Sequence, residues 1–206
     1  MKRLISLITL CISILGEPLY AQNAKFGISV GSAISSYKLK AEGISVTSKG
    51  KGGITIGLFS DIPLASSISF MPALNFVQKG GTIKHDDLKD KLTTNYLEVP
   101  LNFAYKAKLG SGRFFIGAGP SLNIGISGKD EWEVQGNSGN EKVKFGKDKD
   151  FRRFDAGLNV VTGIYFKAGT MVALNYNTGL TSSVDNGGDE GKFLKRYFGI
   201  RLGYIL

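Results

Sequence analysis

The sequence predicts an all-β fold, an eight-stranded antiparallel up-and-down transmembrane β-barrel. Three observations carry that prediction. Apolar residues alternate with small or polar ones in eight separate stretches, the period of a strand whose two faces differ. No apolar run after the N-terminal one approaches the ~18 residues that a membrane helix needs. Long and short connectors also alternate, as they do where tight turns lie on one side of a membrane and long loops on the other.

The strands follow in order. Phe26, Ile28 and Val30 alternate with Lys25, Gly27, Ser29 and Gly31. Ile54, Ile56 and Leu58 alternate with Thr55, Gly57 and Phe59. A third stretch sets Ile68, Phe70, Leu74 and Phe76 against Ser69, Met71, Ala73 and Asn75. The fourth is the most regular: Leu97, Val99, Leu101, Phe103 and Tyr105 oppose Glu98, Pro100, Asn102, Ala104 and Lys106. The fifth places Phe114, Ile116, Ala118, Leu122 and Ile124 against Phe115, Gly117, Gly119, Ser121, Asn123 and Gly125. In the sixth, Phe154, Ala156, Leu158, Val160 and Ile164 oppose Arg153, Asp155, Gly157, Asn159 and Gly163. Val172, Leu174 and Tyr176 face away from Ala173, Asn175 and Asn177. The last strand runs Phe198, Ile200, Leu202, Tyr204 and Leu206, opposed by Gly199, Arg201 and Gly203.

Alternation alone also fits a secreted soluble barrel of the lipocalin kind, with its apolar face turned inward around a greasy ligand. The second face favours the lipid-facing barrel, and the connector lengths favour it more strongly, with the soluble barrel kept as the alternative. That face is built of Gly, Ser and Asn with a few charges, which suits the cramped interior of eight strands and makes a poor apolar core. A membrane protein without helices must close its sheet, because only closure pairs every backbone group inside lipid. Segments at about 34–52, 79–93, 128–151 and 181–195 read as long outer loops, and those at about 61–66, 107–112 and 167–170 as short turns. Both termini then fall on the periplasmic side. Phe26, Tyr105, Phe114, Phe166 and Tyr204 fall near the inner rim and Phe76, Phe154 and Phe198 near the outer one, all on the apolar parity, as interfacial girdles do.

The N-terminus reads as an export signal. Met1-Lys2-Arg3 is basic, Leu4 to Leu15 is uncharged and apolar, and Gly16-Glu17-Pro18 ends the run. Cleavage is expected after Ala21, so residues 1–21 form a signal peptide and 22–206 an outer-membrane barrel domain. Cys11, the only cysteine, lies inside the apolar run without small residues before it, so a lipid anchor is not expected there. The processed chain then has no disulfide and no cysteine-held metal. Losing Lys2, Arg3 and Glu17 lowers the net charge from +9 to +8. The basic residues are scattered over several loops and form no stripe, so nucleic acid is not an expected partner.

The stretch Tyr96-Leu97-Glu98-Val99-Pro100-Leu101-Asn102-Phe103-Ala104-Tyr105 resembles a pattern of the PorT-like group of outer-membrane β-barrel proteins of Bacteroidetes. Gly117-Ala118-Gly119-Pro120, Phe154-Asp155-Ala156-Gly157-Leu158 and the Phe198-to-Leu206 strand resemble the same group. The resemblance implies an eight-stranded barrel in the bacterial outer membrane. The group's founding member is associated with protein secretion, so an accessory secretion barrel is one alternative function. The last strand, with Tyr204 near its end, also resembles the signal read by the barrel-assembly machinery.

Few residues point to chemistry. His85, the only histidine, stands beside Asp86 and Asp87 in a charged loop. A lipid-modifying enzyme would need a nucleophile held against that imidazole, and a charged loop is a poor place to hold one. Asp185-Asn186-Gly187-Gly188-Asp189-Glu190-Gly191 has the oxygen donors of a calcium loop without the spacing of an EF-hand, and the same residues make ordinary turns. No cofactor and no enzymatic activity are expected. Glu98, Lys106, Arg153, Asp155 and Arg201 share the small-residue face and read as a polar network plugging the lumen, since eight strands leave room only for side chains. Trp132-Glu133-Val134 and Lys142-Val143-Lys144-Phe145 flank a turn-rich segment and read as a hairpin above the membrane. The expected partners are outer-membrane lipid and lipopolysaccharide, the barrel-assembly machinery during insertion, and a protein reached through the long loops.

Overall fold

A computed structural model of the chain describes residues 24–41, 44–85, 88–184 and 192–206. The expected signal peptide, Cys11 and the 185–191 loop lie outside them. Among the described residues there are ten strands: β1 (Lys25–Ala41), β2 (Ile44–Thr47), β3 (Lys51–Pro63), β4 (Ile68–His85), β5 (Leu88–Leu109), β6 (Gly112–Val134), β7 (Asn137–Val143), β8 (Phe154–Tyr165), β9 (Thr170–Gly179) and β10 (Lys192–Ile205). Every pairing is antiparallel. The order β1-β3-β4-β5-β6-β8-β9-β10 follows the chain, and β10 pairs back onto β1 from Gly27↔Ile205 to Lys40↔Lys192. The sheet therefore closes on itself. Two short strands stand off the ring: β2 pairs with the far end of β1, and β7 with the far end of β6.

Tight turns at 64–67, 110–111 and 166–169 join neighbours at one end of the ring, where Lys25 and Ile205 also lie. We call this the turn end and the opposite one the hairpin end. The segments at about 79–93 and 128–151 are largely paired strand rather than the open loops expected, and the second holds the hairpin expected between Trp132 and Phe145. β4 and β5 pair without interruption from Lys79↔Thr94 to His85↔Leu88, and β5 follows β6 out to Leu88↔Val134. Residues there are largely charged or otherwise polar on both faces, so they leave no apolar parity to read, yet backbone pairing does not need one. The β6–β7 hairpin turns on Gln135 and Gly136, both at positive φ (49° and 83°), the two-residue geometry that matches strand twist.

The faces sort as an inside-out protein. Phe26 and Leu202 are each 61% exposed and Phe154 is 67% exposed, and they belong to a continuous outward apolar band. The inward parity carries Thr55, Ser69, Asn75, Glu98, Asn123 and Asn175, all buried. A lipocalin-like barrel needs the reverse parity, and the structure excludes it. Six of the rim aromatics (Phe26, Tyr105, Phe154, Phe166, Phe198 and Tyr204) are exposed on the outside, while Phe76 and Phe114 are half-buried.

The seam between β1 and β10 is packed closely at Gly31, opposite Arg201. A Cβ at Gly31 would lie 2.0 Å from the Ile200 carbonyl oxygen. Gly31→Val is expected to cost about 1–3 kcal/mol, as overpacking of a filled site does. The measurement is the midpoint at which the folded band is lost on a semi-native gel. An unchanged midpoint would mean that the seam moves aside without cost.

Candidate functional site

The interior is stacked in three tiers. At the turn end, Phe59, Met71, Phe115, Tyr165 and Met171 pack with Ala104 and Ala173 into an apolar cluster. At the hairpin end, Tyr37, Leu92, Tyr96, Phe145, Phe151 and Phe193 form a second, mostly aromatic cluster. Phe145 and Phe151 come from the segment after β7, which bends back into the mouth and is held there by a Phe145↔Phe151 bridge. Between the clusters lies a polar tier.

Glu98 is its centre and is fully buried. Lys79 donates through Nζ to Glu98 Oε2 at 2.9 Å and to Asn123 Oδ1 at 2.9 Å. The Tyr197 hydroxyl donates to Glu98 Oε1 at 2.6 Å, and Arg201 Nη2 donates to that hydroxyl at 3.2 Å. The Lys79 ammonium also lies 4.9 Å from the Tyr197 ring centre, close enough for cation–π attraction. A buried charge survives only when it is paired and hydrogen-bonded, and this arrangement gives Glu98 both.

The five residues expected to form one lumen network occupy separate places. Glu98 and Arg201 share the middle tier, linked through Tyr197. Lys106 lies at the turn end, where its Nζ donates to both oxygens of Asp61 at 2.8 Å. Asp155 is half-buried at the hairpin end and accepts from Ser183 Oγ at 3.1 Å. Arg153 precedes β8 and is exposed, with Nη2 donating to the Phe145 carbonyl at 3.3 Å. The Arg153 carbonyl still accepts from the Gly125 N–H of β6 at 2.7 Å, but the residue stands beyond the end of β8 at the open mouth, where a long side chain reaches solvent. Lys79, Asp61, Tyr197 and Lys195 were missed by the sequence reading. A signal for them exists: Lys79 continues the inward parity of Asn75 and Val77, Asp61 that of Phe59, and Tyr197 and Lys195 that of Arg201 and Gly199. Lys195 donates to the Tyr96 hydroxyl, and its ammonium lies 4.2 Å from the Phe151 ring centre.

His85 ends β4 opposite Leu88, at the tip of the β4–β5 hairpin. Its side chain, with Asp86 and Asp87, lies outside the described residues. Among the described residues no group of three metal-ligating side chains comes together.

Beyond the apolar band, β4, β5, β6 and β7 form a four-stranded extension. One face carries exposed ion pairs: Lys89–Glu133 at 3.3 Å, Lys91–Glu131 at 3.1 Å and Lys129–Glu131 at 3.0 Å. Hydrogen bonds from Lys129 and Lys91 hold the Glu131 carboxyl below its usual range. The other face carries Asp130 between Leu92 and Glu141, with Asp90 diagonal to it beside Trp132. Burial, and then the charge of Asp90, push the Asp130 carboxyl up to about 6.

Two expectations follow from these charges. Lys79→Met should cost about 3–5 kcal/mol, because it strands a buried carboxylate. Adding Glu98→Gln should recover part of that loss in a double-mutant cycle of urea unfolding, whereas additive costs would show that the pair is not coupled. For Asp130, the folded state binds its proton more tightly than the unfolded state. The contribution of Asp130 to the stability of the extension should therefore be greatest below about pH 4 and be lost as pH rises through about 6. The depressed Glu131 acts in the opposite sense at lower pH. Trp132, the only tryptophan, reports this locally by fluorescence, and Asp130→Asn should remove the pH dependence in that window. A dependence that persists in the variant would assign it to another group.

The sequence profile of the outer membrane protein beta-barrel domain matches residues 20–185. Among solved structures, OprG of Pseudomonas aeruginosa is similar in fold, with a TM-score of 0.51 at 14% identity over 89% of this chain and 96% of that one. Neisserial surface protein A aligns at 0.46 and 13% identity, over 89% of this chain and 99% of that one. The attachment invasion locus protein Ail of Yersinia pestis aligns at 0.44 and 12% identity over the same shares. No curated protein sequence matches the chain. A sheet closed on itself, apolar outside and charged within, is the form that lipid demands, and this chain belongs to the outer membrane protein beta-barrel domain family of the bacterial outer membrane.

Proposed function

We propose that the chain is a non-enzymatic, non-conducting barrel whose eight ring strands span the outer membrane and whose extracellular hairpins meet a protein partner. The observation that carries this reading is the filled interior. Two apolar clusters lie above and below a tier in which Lys79, Glu98, Tyr197 and Arg201 are joined side chain to side chain. Such a stack acts as a plug: past the Asp61–Lys106 pair at the turn end, or through the mouth at the hairpin end, an ion meets an apolar cluster before it reaches the middle tier. The short turns and both strand termini at one end support placing that end in the periplasm. The extension of β4 to β7 and its half-exposed Trp132 then face outward, among lipopolysaccharide and available to a partner. Insertion would pass through the barrel-assembly machinery. The Tyr96–Tyr105 stretch supports a place in the PorT-like group, from which only the fold is carried over.

The test is reconstitution of the refolded barrel in vesicles of phospholipid and lipopolysaccharide. Entrapped small sugars should be retained as in protein-free vesicles, and acyl-chain composition should not change on incubation. Leakage would overturn the plug, and lipid turnover would overturn the non-enzymatic reading.

A further inference from the structure

A small cavity separates the polar tier from the turn-end cluster. Its volume is about 40 Å³, and Ser29, Asn102, Asn159, Asn175 and Arg201 contribute the polar part of its wall. A water-sized occupant needs roughly 10–15 Å³ measured this way, so the space holds a few waters or one larger ion.

The wall has unmet demands. Asn175 is only 3% exposed, and its buried amide lies beside the Tyr197 hydroxyl without a hydrogen bond of good geometry. The Nε–H of Arg201 is likewise buried and unpartnered. An unpaired buried amide costs a few kcal/mol and an unpaired charge more, so the two donors, the Arg201 Nε–H and the Asn175 Nδ2–H, call for an acceptor. Charge bears on what that occupant is. The polar tier holds two cations, Lys79 and Arg201, and one carboxylate, Glu98. That carboxylate is taken by Lys79 at 2.9 Å and by Tyr197 at 2.6 Å, and it reaches Arg201 only through the Tyr197 hydroxyl. Asp61, the carboxylate at the turn end, is bound on both oxygens by Lys106. Water would meet the hydrogen-bond demand and leave the excess positive charge in a medium of low dielectric.

We propose that this cavity binds one small monovalent anion of the halide class, held by the Arg201 guanidinium and the Asn175 amide. Larger anions are excluded by volume. The site lies within the membrane-spanning height of the ring, so a bound anion acts as an internal counter-ion that stabilises the folded barrel by binding it and not the unfolded chain.

The test compares thermal midpoints of the refolded barrel in detergent, in sodium chloride and in sodium gluconate of equal ionic strength. The midpoint should rise with chloride to a plateau and stay level in gluconate, whose anion is too large to enter. Asn175→Asp places a fixed negative charge beside Arg201. It should abolish the chloride response and raise the midpoint in gluconate to at least the level of the parent in chloride. Equal midpoints of the parent in the two salts would mean that the cavity holds water only and would overturn the proposal. A chloride response that persists in Asn175→Asp would place the anion elsewhere and overturn it as well. Crystals of the unaltered protein grown in bromide give a readout independent of the variant. An anomalous peak within hydrogen-bond distance of Arg201 supports the site, and its absence at full diffraction quality overturns it.

Discussion

A peptide group in hydrocarbon has no water to turn to, and an unpaired one costs several kcal/mol. That penalty is the constraint on which this structure rests. A sheet of eight strands left open would expose two edges to lipid. Here β10 and β1 pair along fourteen register positions and leave none. Closure then fixes the rest. A ring this small has a fixed and narrow interior, so the inward face must be built of side chains that fit one another. The outward face is free to be greasy, because its solvent is greasy too.

The polarity of the interior follows from that division. The outward parity takes most of the apolar side chains, and most of those left inside gather in the two clusters. The inner face therefore carries asparagines, serines and charges that must be satisfied without bulk water. Glu98 with Lys79, Tyr197 and Asn123 does this in the middle of the ring, and Asp61 with Lys106 does it at one end. The apolar clusters on either side keep water from the Glu98 pair, which strengthens its attraction while raising the cost of breaking it.

Much of the architecture was legible in the sequence, because alternation is a direct print of a two-faced strand. The Leu97–Tyr105 stretch shows it at every step, and its outward and inward residues take the faces the pattern assigns. What could not be read falls into two kinds. Where the strands leave the apolar band, as from Lys79 to His85, both faces become polar and the print fades although the pairing continues. Contacts between strands also depend on register and on the slant of the ring, which no single strand records. Lys79 meets Glu98 although its direct cross-strand partner is Thr94. Phe145 and Phe151 reach the lumen from a connecting segment whose return path has no period at all. The inward charges of one strand could be named, but their partners could not.

The seam has a further consequence, for the order of events in folding. It joins the strands that stand furthest apart in the described chain, so the contact that removes the last open edges is also the most non-local one. Closing so long a loop costs entropy before it yields any hydrogen bond. Until β10 exists, every earlier strand can find its neighbour, and yet β1 keeps an open flank. A ribosome-bound or partly exported chain is thus an unfinished sheet whatever its length, prone to pair that flank with another chain. Holding the chain unfolded until synthesis has passed β10 is a requirement written into the topology.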